Sequence, residues 1–186
     1  SEGDLQSGLT CVETFDYETV TKIYQPYDNL APAVYLGSDG SRREKVFGCF
    51  AEAIEGKSSD PESFRRLQEV FSKESLQMVS FTITEKGYAL RGSDGAYFGF
   101  VQADLENGPE AVNSAISLVT SLLYDRFRAG RLPLALVSMD NVSHNGEKLR
   151  NAVLEIAEAW CERGFVPEAF VTYVRDEDTV AFPWSM

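Results

Sequence analysis

Asp140, Asn141, His144 and Asn145 fall within one six-residue stretch, directly after the apolar run "LALVSM". Two carboxamides, a carboxylate and the only histidine of the chain are residue types that act on oxygen. A carboxamide donates and accepts hydrogen bonds at once, and it carries no charge to lose as pH changes. At a strand end it can hold a ribose, a substrate hydroxyl or a developing alkoxide. The same residue types also build a strand-to-helix turn, in which Ser143 or Asn145 would cap the helix that follows. His144 and the adjacent Ser143 are read as turn residues rather than a hydrolase pair. Adjacency in sequence is not the geometry of a nucleophile and its base, and no GxSxG elbow is present.

Two further clusters end apolar segments. "TITEKGY" brings Glu85 and Lys86 to a strand end, where they suit either acid–base work or a solvated turn. "CVETFD" ends another strand with Glu13 and Asp16. In dinucleotide-binding folds an acidic residue at such a position binds the adenosine ribose hydroxyls. The glycine-rich fingerprint that precedes it there is not found: none of the 14 glycines forms GxGxxG. Asp16 is also placed to cap a helix.

The elements that must position these clusters follow from periodicity. "GLTCVE" (8–13) predicts a strand and "DYETVTKIYQ" (16–25) a short helix. "YDNLAPAVYL", the turn "GSDG" and "RREKVFGCFAEAI" predict a β-hairpin with Val46, Phe47 and Phe50 on its second arm and Pro32 marking an edge. "DPESFRRLQEVF" (60–71) predicts a helix capped by Asp60, with Pro61 first and Glu62 in the first turn. "QMVSFTIT" (77–84) predicts a strand. Val112, Ala115, Ile116, Val119, Leu122 and Leu123 recur at helical spacing, predicting a helix over 108–130 that ends at Gly130. "LPLALVSM" is a continuous apolar run, the pattern of a parallel strand covered on both faces. "NGEKLRNAVLEIAEAWCERG" (145–164) predicts another helix, followed by a shorter one around 167–175 and a last strand, "TVAFPW". This alternation predicts an α/β fold with a largely parallel sheet, the hairpin being an insertion. Ligands of such sheets bind beyond the carboxyl ends of the strands, so "ETFD", "TEKGY" and "DNVSHNG" are expected on one rim.

Composition removes several function classes. The chain of 186 residues is read as one domain, with 44% apolar and 25% charged residues. Seventeen Lys and Arg against 29 Asp and Glu give a net charge of −12, which argues against nucleic acid or an anionic membrane as partner. No apolar run approaches the ~20 residues of a membrane span, and no signal peptide opens the sequence. Cys11, Cys49 and Cys161 are odd in number and show no CxxC. They predict reduced thiols in a cytoplasmic protein and no metal site.

Three segments together resemble the mannitol dehydrogenase family, the polyol-specific long-chain dehydrogenases/reductases. They are "VSFTITEKGY" (79–88), "LVSMDNVSHNGEKLRNAV" (136–153) and "VAFPWSM" (180–186), in that order. "DYETVTKIYQPYDNL" (16–30) is similar to one subgroup. The specific part is an S-x-D-N-x-x-x-N-G element followed by FP-x-S/G-M. That family includes mannitol 2-dehydrogenases and the fructuronate and tagaturonate reductases. The resemblance implies a Rossmann-like fold: a largely parallel sheet flanked by helices, with an inserted hairpin. It also implies an internal piece, a partial NAD(P)-binding domain over 1–186. "SEGDLQSG" resembles the end of the helix of a missing first β-α unit. The family's catalytic lysine stands in a K-x4-N-x2-H element of a further helical domain, and none of the six lysines of this sequence does.

On the resemblance, Asn141 helps hold and polarise the oxygen at the reacting carbon. Thr84 and Glu85 lie beside the nicotinamide or the substrate, and Glu13 or Asp16 reads the ribose. The implied cofactor is NAD, with NADP disfavoured by the acidic strand end, and the implied substrate is a polyol or hexuronate. No catalytic metal is implied. The competing expectation is a non-enzymatic α/β module that binds a partner.

Overall fold

The structure, a computed structural model, describes residues 8–185. The expectation that "SEGDLQSG" closes a helix therefore lies, Gly8 apart, outside the described residues, as does Met186. The chain divides into two compact units, one up to Gly56 and one from Lys57 onward.

In the first unit, strand β1 (Leu9–Glu13) pairs in parallel with β4 (Phe50–Glu55), and Glu13 stands opposite Glu55. The predicted helix after β1 forms as a wide π-helical segment, Thr19–Tyr24, closed by a 3-10 turn, Gln25–Tyr27. Pro26 in that turn has no N–H with which to continue the helix. Val20 is fully buried, and Tyr24 packs edge-on against Phe50. The predicted hairpin forms from β2 (Ala31–Leu36) and β3 (Arg42–Phe47), antiparallel around "GSDG". Its second arm is shorter than the sequence suggested. The chain breaks at Gly48 and Cys49, and Phe50 begins β4, which leaves the hairpin to join β1.

The second unit is a three-stranded parallel sheet in the order β5–β6–β7 with helices packed on it. The strands are β5 (Met78–Phe81), β6 (Leu134–Ser138) and β7 (Val180–Ala181). Helix α1 (Pro61–Phe71) starts as its residues dictate: the Asp60 side chain accepts from Glu62 N at 3.1 Å. Strand β5 stops at Phe81. Thr84, expected in the strand, instead opens the single turn α2 (Thr84–Gly87). Helix α3 (Gly99–Asn107) has no apolar stripe strong enough to predict it. Helix α4 (Ala115–Arg128) is shorter than the predicted 108–130. Residues 108–114 form a turn, with Gly108 at φ +77° and Val112 N donating to Ser58 Oγ.

Helix α5 (Asn145–Glu162) buries Leu149, Val153, Ile156, Ala157 and Trp160, the predicted face, against α4, α6 and β6. Gly164 follows at φ +77°, a left-handed position open to glycine without strain. Helix α6 (Glu168–Arg175) completes the layer. Strand β6 is central, between β5 and β7. One face, with Leu134, Leu136 and Ser138, is buried; Ala135 and Val137 on the other stay half-buried. The run is therefore covered fully on one face rather than two.

Fully buried Arg126, on α4, organises one end of this unit. Its guanidinium donates to five backbone carbonyls: Phe71, Lys73, Leu76, Leu132 and Pro133, at 2.7–3.1 Å. These belong to the end of α1, the approach to β5 and the approach to β6. At the start of α4, the buried carboxylate of Asp104 accepts from Asn113 N, Asn113 Nδ2 and Ser114 N.

Candidate active site at the carboxyl ends of the second sheet

The carboxyl ends of β5, β6 and β7 are joined by a polar network built from the motif residues. Asp140, just past β6, accepts from Ile83 N at 3.0 Å, Thr84 N at 3.1 Å and Tyr88 Oη at 2.5 Å. Tyr88 Oη also shares a 2.7 Å hydrogen bond with Ser138 Oγ at the end of β6. Burial, together with the Asp140 carboxylate beside it, holds the Tyr88 phenol well above its ordinary pKa, so it stays a neutral donor. "TEKGY" and "DNVSHNG" are thus brought together as predicted. Glu13 and Asp16 belong to the other unit.

Asn145 is fully buried and fully engaged. Its Nδ2 donates to Ser138 O, Asp140 O and Ser185 Oγ, and its Oδ1 accepts from Ser185 N. Ser185 Oγ also donates to Ser138 O. Asn145 therefore ties the segment after β7 to the end of β6 rather than capping α5. The residue at the start of α5 is His144, in the left-handed region at φ 56°, with no side-chain cap. His144 is exposed beside Glu147 and packs on the Trp184 ring, consistent with a turn role.

Gly146 explains the second half of the "NG" pair. A Cβ there would meet Phe182 O and Trp184 Cδ1 at 2.6 Å and Pro183 O at 2.9 Å. In an open helix Gly→Ala stabilises by ~1 kcal/mol. Here backbone carbonyls stand in the way, and overpacking reverses the sign. Gly146→Ala is expected to destabilise by about 1–3 kcal/mol. Thermal unfolding of the purified variant checks this, and an unchanged or raised melting temperature contradicts it.

Around this closed network two polar groups remain open. Asn141 is exposed, and its carboxamide makes no hydrogen bond among the described residues. The Thr84 hydroxyl is likewise exposed and unengaged among them. Thr84 also sits at φ 63°, a genuine outlier for a β-branched residue, costing about 1–3 kcal/mol. Glu85 pairs with Lys148 at 3.1 Å on the surface, a solvent-screened contact that ties α2 to α5 and contributes little.

In the first unit, Glu13 Oε1 accepts from the backbone N–H groups of Thr14, Phe15 and Asp16, at 2.9, 3.0 and 3.3 Å. The carboxylate is thereby fixed at the strand end, and Oε2 has no hydrogen-bond partner among the described residues. Asp16 Oδ1 accepts from Glu18 N at 3.2 Å, closing a turn ahead of the helix. The expected cap by Asp16 does not form, because the helix starts later, with Glu18 at its N-cap and no side-chain cap.

Tyr88, Ser138 and Ser185 were not singled out from sequence, although all three lie inside the quoted motifs. Their role needed a tertiary partner to be visible. Asp104 and Arg126 carried no signal in sequence beyond their types.

No protein-family model matches the chain. It is 45% identical, over 185 residues, to a D-mannonate oxidoreductase of Thermotoga maritima, covering 100% of this chain and 34% of that protein. It is 31% identical over 136 residues to a mannitol 2-dehydrogenase of Cereibacter sphaeroides, covering 72% of this chain and 27% of that protein. The chain thus spans about a third or less of the length of these curated relatives. Among solved structures, the Pseudomonas fluorescens mannitol 2-dehydrogenase in ternary complex with NAD and D-mannitol superposes with a TM-score of 0.73 at 23% identity. That match covers 92% of this chain and 33% of that one, and it establishes a shared Rossmann-type α/β fold. A motif order that reads out as one hydrogen-bonded network and a 45% identity running the whole of this chain agree: the chain belongs to the mannitol dehydrogenase family.

Proposed function

We propose that the chain is the greater part of the nucleotide-binding domain of an NAD-dependent oxidoreductase. The reaction interconverts a polyol or sugar acid and its keto form, of the mannitol/fructose or mannonate/fructuronate type. The carrying observation is Asn141: exposed and unengaged, beside a network in which Ser138, Asp140, Asn145 and Ser185 are all committed to structure. A donor left free at the carboxyl end of a parallel strand is placed for a ligand. The named relatives are oxidoreductases, which favours this reading over a non-enzymatic module.

NAD, when bound, accepts or delivers the hydride. The residues present fit such a cofactor at the ribose end. Glu13 offers a carboxylate already oriented by three amides, with one oxygen left to accept from ribose hydroxyls. Asn141 donates to the substrate oxygen, and the Thr84 hydroxyl and Glu85 stand on the neighbouring loop. The base that takes the hydroxyl proton is assigned to a helical domain of the same protein. Met139 and Trp184, each 58% exposed, offer that domain an apolar surface close to the site.

The test is polyol- or hexuronate-dependent interconversion of NAD and NADH by the complete protein, compared with NADP. Glu13 faces Glu55 across the β1–β4 pair, so a 2′-phosphate would meet two carboxylates. NAD is therefore the expected cofactor. Glu13→Gln keeps an acceptor for the turn amides and removes the charge; it should shift the kcat/KM ratio toward NADP by roughly tenfold, about 1.4 kcal/mol. Asp16→Ala should leave the ratio unchanged. No activity on any such substrate removes the functional proposal. A wild-type preference for NADP removes the role of Glu13.

A further inference from the structure

Three donors converge on the Asp140 carboxylate: Ile83 N, Thr84 N and Tyr88 Oη. Only an acceptor-only group satisfies all three. A carboxamide in its place would turn an NH₂ toward at least one donor. The two amides belong to the loop that leaves β5, and Asp140 itself belongs to the loop that leaves β6. The carboxylate is thus the bond between the loop that carries Thr84 and the loop that carries Asn141. The Thr84 backbone is in the left-handed region, which a β-branched residue keeps only when its surroundings impose it. The hydrogen bonds from Ile83 N and Thr84 N to Asp140 hold the chain where it enters this conformation. Asn141 follows Asp140 by a single peptide, so the same anchor limits where its carboxamide can go.

We propose that Asp140 is the positioning residue of this site: its carboxylate clamps Thr84 in the left-handed conformation and fixes the Thr84 hydroxyl and the Asn141 carboxamide relative to one another, for a substrate that presents hydroxyls on adjacent carbons. The inference rests on the oxidoreductase reading above. Tyr88 is the third support: buried and hydrogen-bonded to both Asp140 and Ser138, it holds the carboxylate in place from the side of the sheet.

The test compares Asp140→Asn, Tyr88→Phe and Asn141→Ala in the complete protein. It uses site-resolved amide exchange with steady-state kinetics on mannitol and mannonate. Asp140→Asn is expected to speed exchange at Ile83 and Thr84 by about tenfold or more while the β6 amides keep their protection. It is expected to lower kcat by about 10²-fold with the KM for NAD nearly unchanged, because the reacting groups are misplaced rather than lost. Tyr88→Phe keeps the carboxylate and the ring and should show the same pattern more weakly; it also serves if Asp140→Asn does not fold. Unchanged exchange at Ile83 and Thr84 overturns the clamp. A lowered melting temperature with wild-type kcat in the folded protein means a merely structural role and overturns it too. Should Asn141→Ala be impaired while Asp140→Asn is not, the positioning claim alone falls. Should Asn141→Ala keep full turnover, the reading beneath it has failed and the claim falls with it.

Discussion

Replacing Asn141 by alanine in the complete protein is expected to lower turnover by about 10²–10³-fold while leaving NAD affinity and melting temperature near their wild-type values. The reason is the contrast between Asn141 and Asn145. Asn145 is buried and fully hydrogen-bonded, so its loss would be read as lost stability. Asn141 is exposed, and its carboxamide makes no hydrogen bond among the described residues. Its amide matters only when a ligand oxygen is present, and most when that oxygen gathers negative charge. An interaction made more strongly in the transition state than in the bound substrate falls on kcat rather than on KM. An uncharged donor suits this task because it stabilises an alkoxide without giving up a proton. The measurement is kcat and kcat/KM for mannitol or mannonate, with the melting temperature alongside. A well-folded Asn141→Ala protein that turns over like wild type ends the catalytic assignment.

Arg126→Met is expected to destabilise the second unit by about 3–5 kcal/mol, because several buried carbonyls lose the charged donor they share. Removing the guanidinium leaves up to five buried carbonyls short of a donor, and each such group costs about 1–3 kcal/mol where no other donor or water reaches it. Leu132 O keeps one donor, the Tyr173 hydroxyl at 2.6 Å, so the total lies below the plain sum. Arg126→Lys should recover only part of the loss. An ammonium has three donors on one atom and cannot span carbonyls arranged around a planar fork. Urea unfolding of the 186-residue chain decides this. A midpoint for Arg126→Met within experimental scatter of wild type would show that the carbonyls find other donors. Because Arg126 lies at the approaches to β5 and β6, the variant is also expected to lose exchange protection there first.

Much of the second unit was legible in the sequence, and the reason differs between elements. Helix α5 has an unbroken apolar stripe from Leu149 to Trp160 and a glycine past its end, so local pattern and burial agree. Helix α1 announces itself through Asp60 and Pro61, because capping is a contact between neighbours in the chain. Helix α3 was not legible: its buried residues, Val101, Asp104 and Leu105, do not make an apolar stripe, and Asp104 is inside because the turn before α4 supplies its donors. Thr84 was expected in a strand because β-branched residues favour strands. A side chain 56 positions away bends it out.

The order of the motif residues and their membership of one family were legible in the sequence alone. Those are properties of a linear pattern, and "SMDNVSHNG" followed by "FPWS" carries them. Which of two nearly identical carboxamides is buried and which is free was decided only by the tertiary structure. Asn141 and Asn145 have the same donors and acceptors, and nothing local separates them. The separation comes from Ser185 and the end of β6, which close around Asn145, and from Ile83, Thr84 and Tyr88, which take up Asp140. Hydrogen bonds between residues forty to sixty positions apart leave no trace in spacing, because the chain between them can take any path that closes the loop.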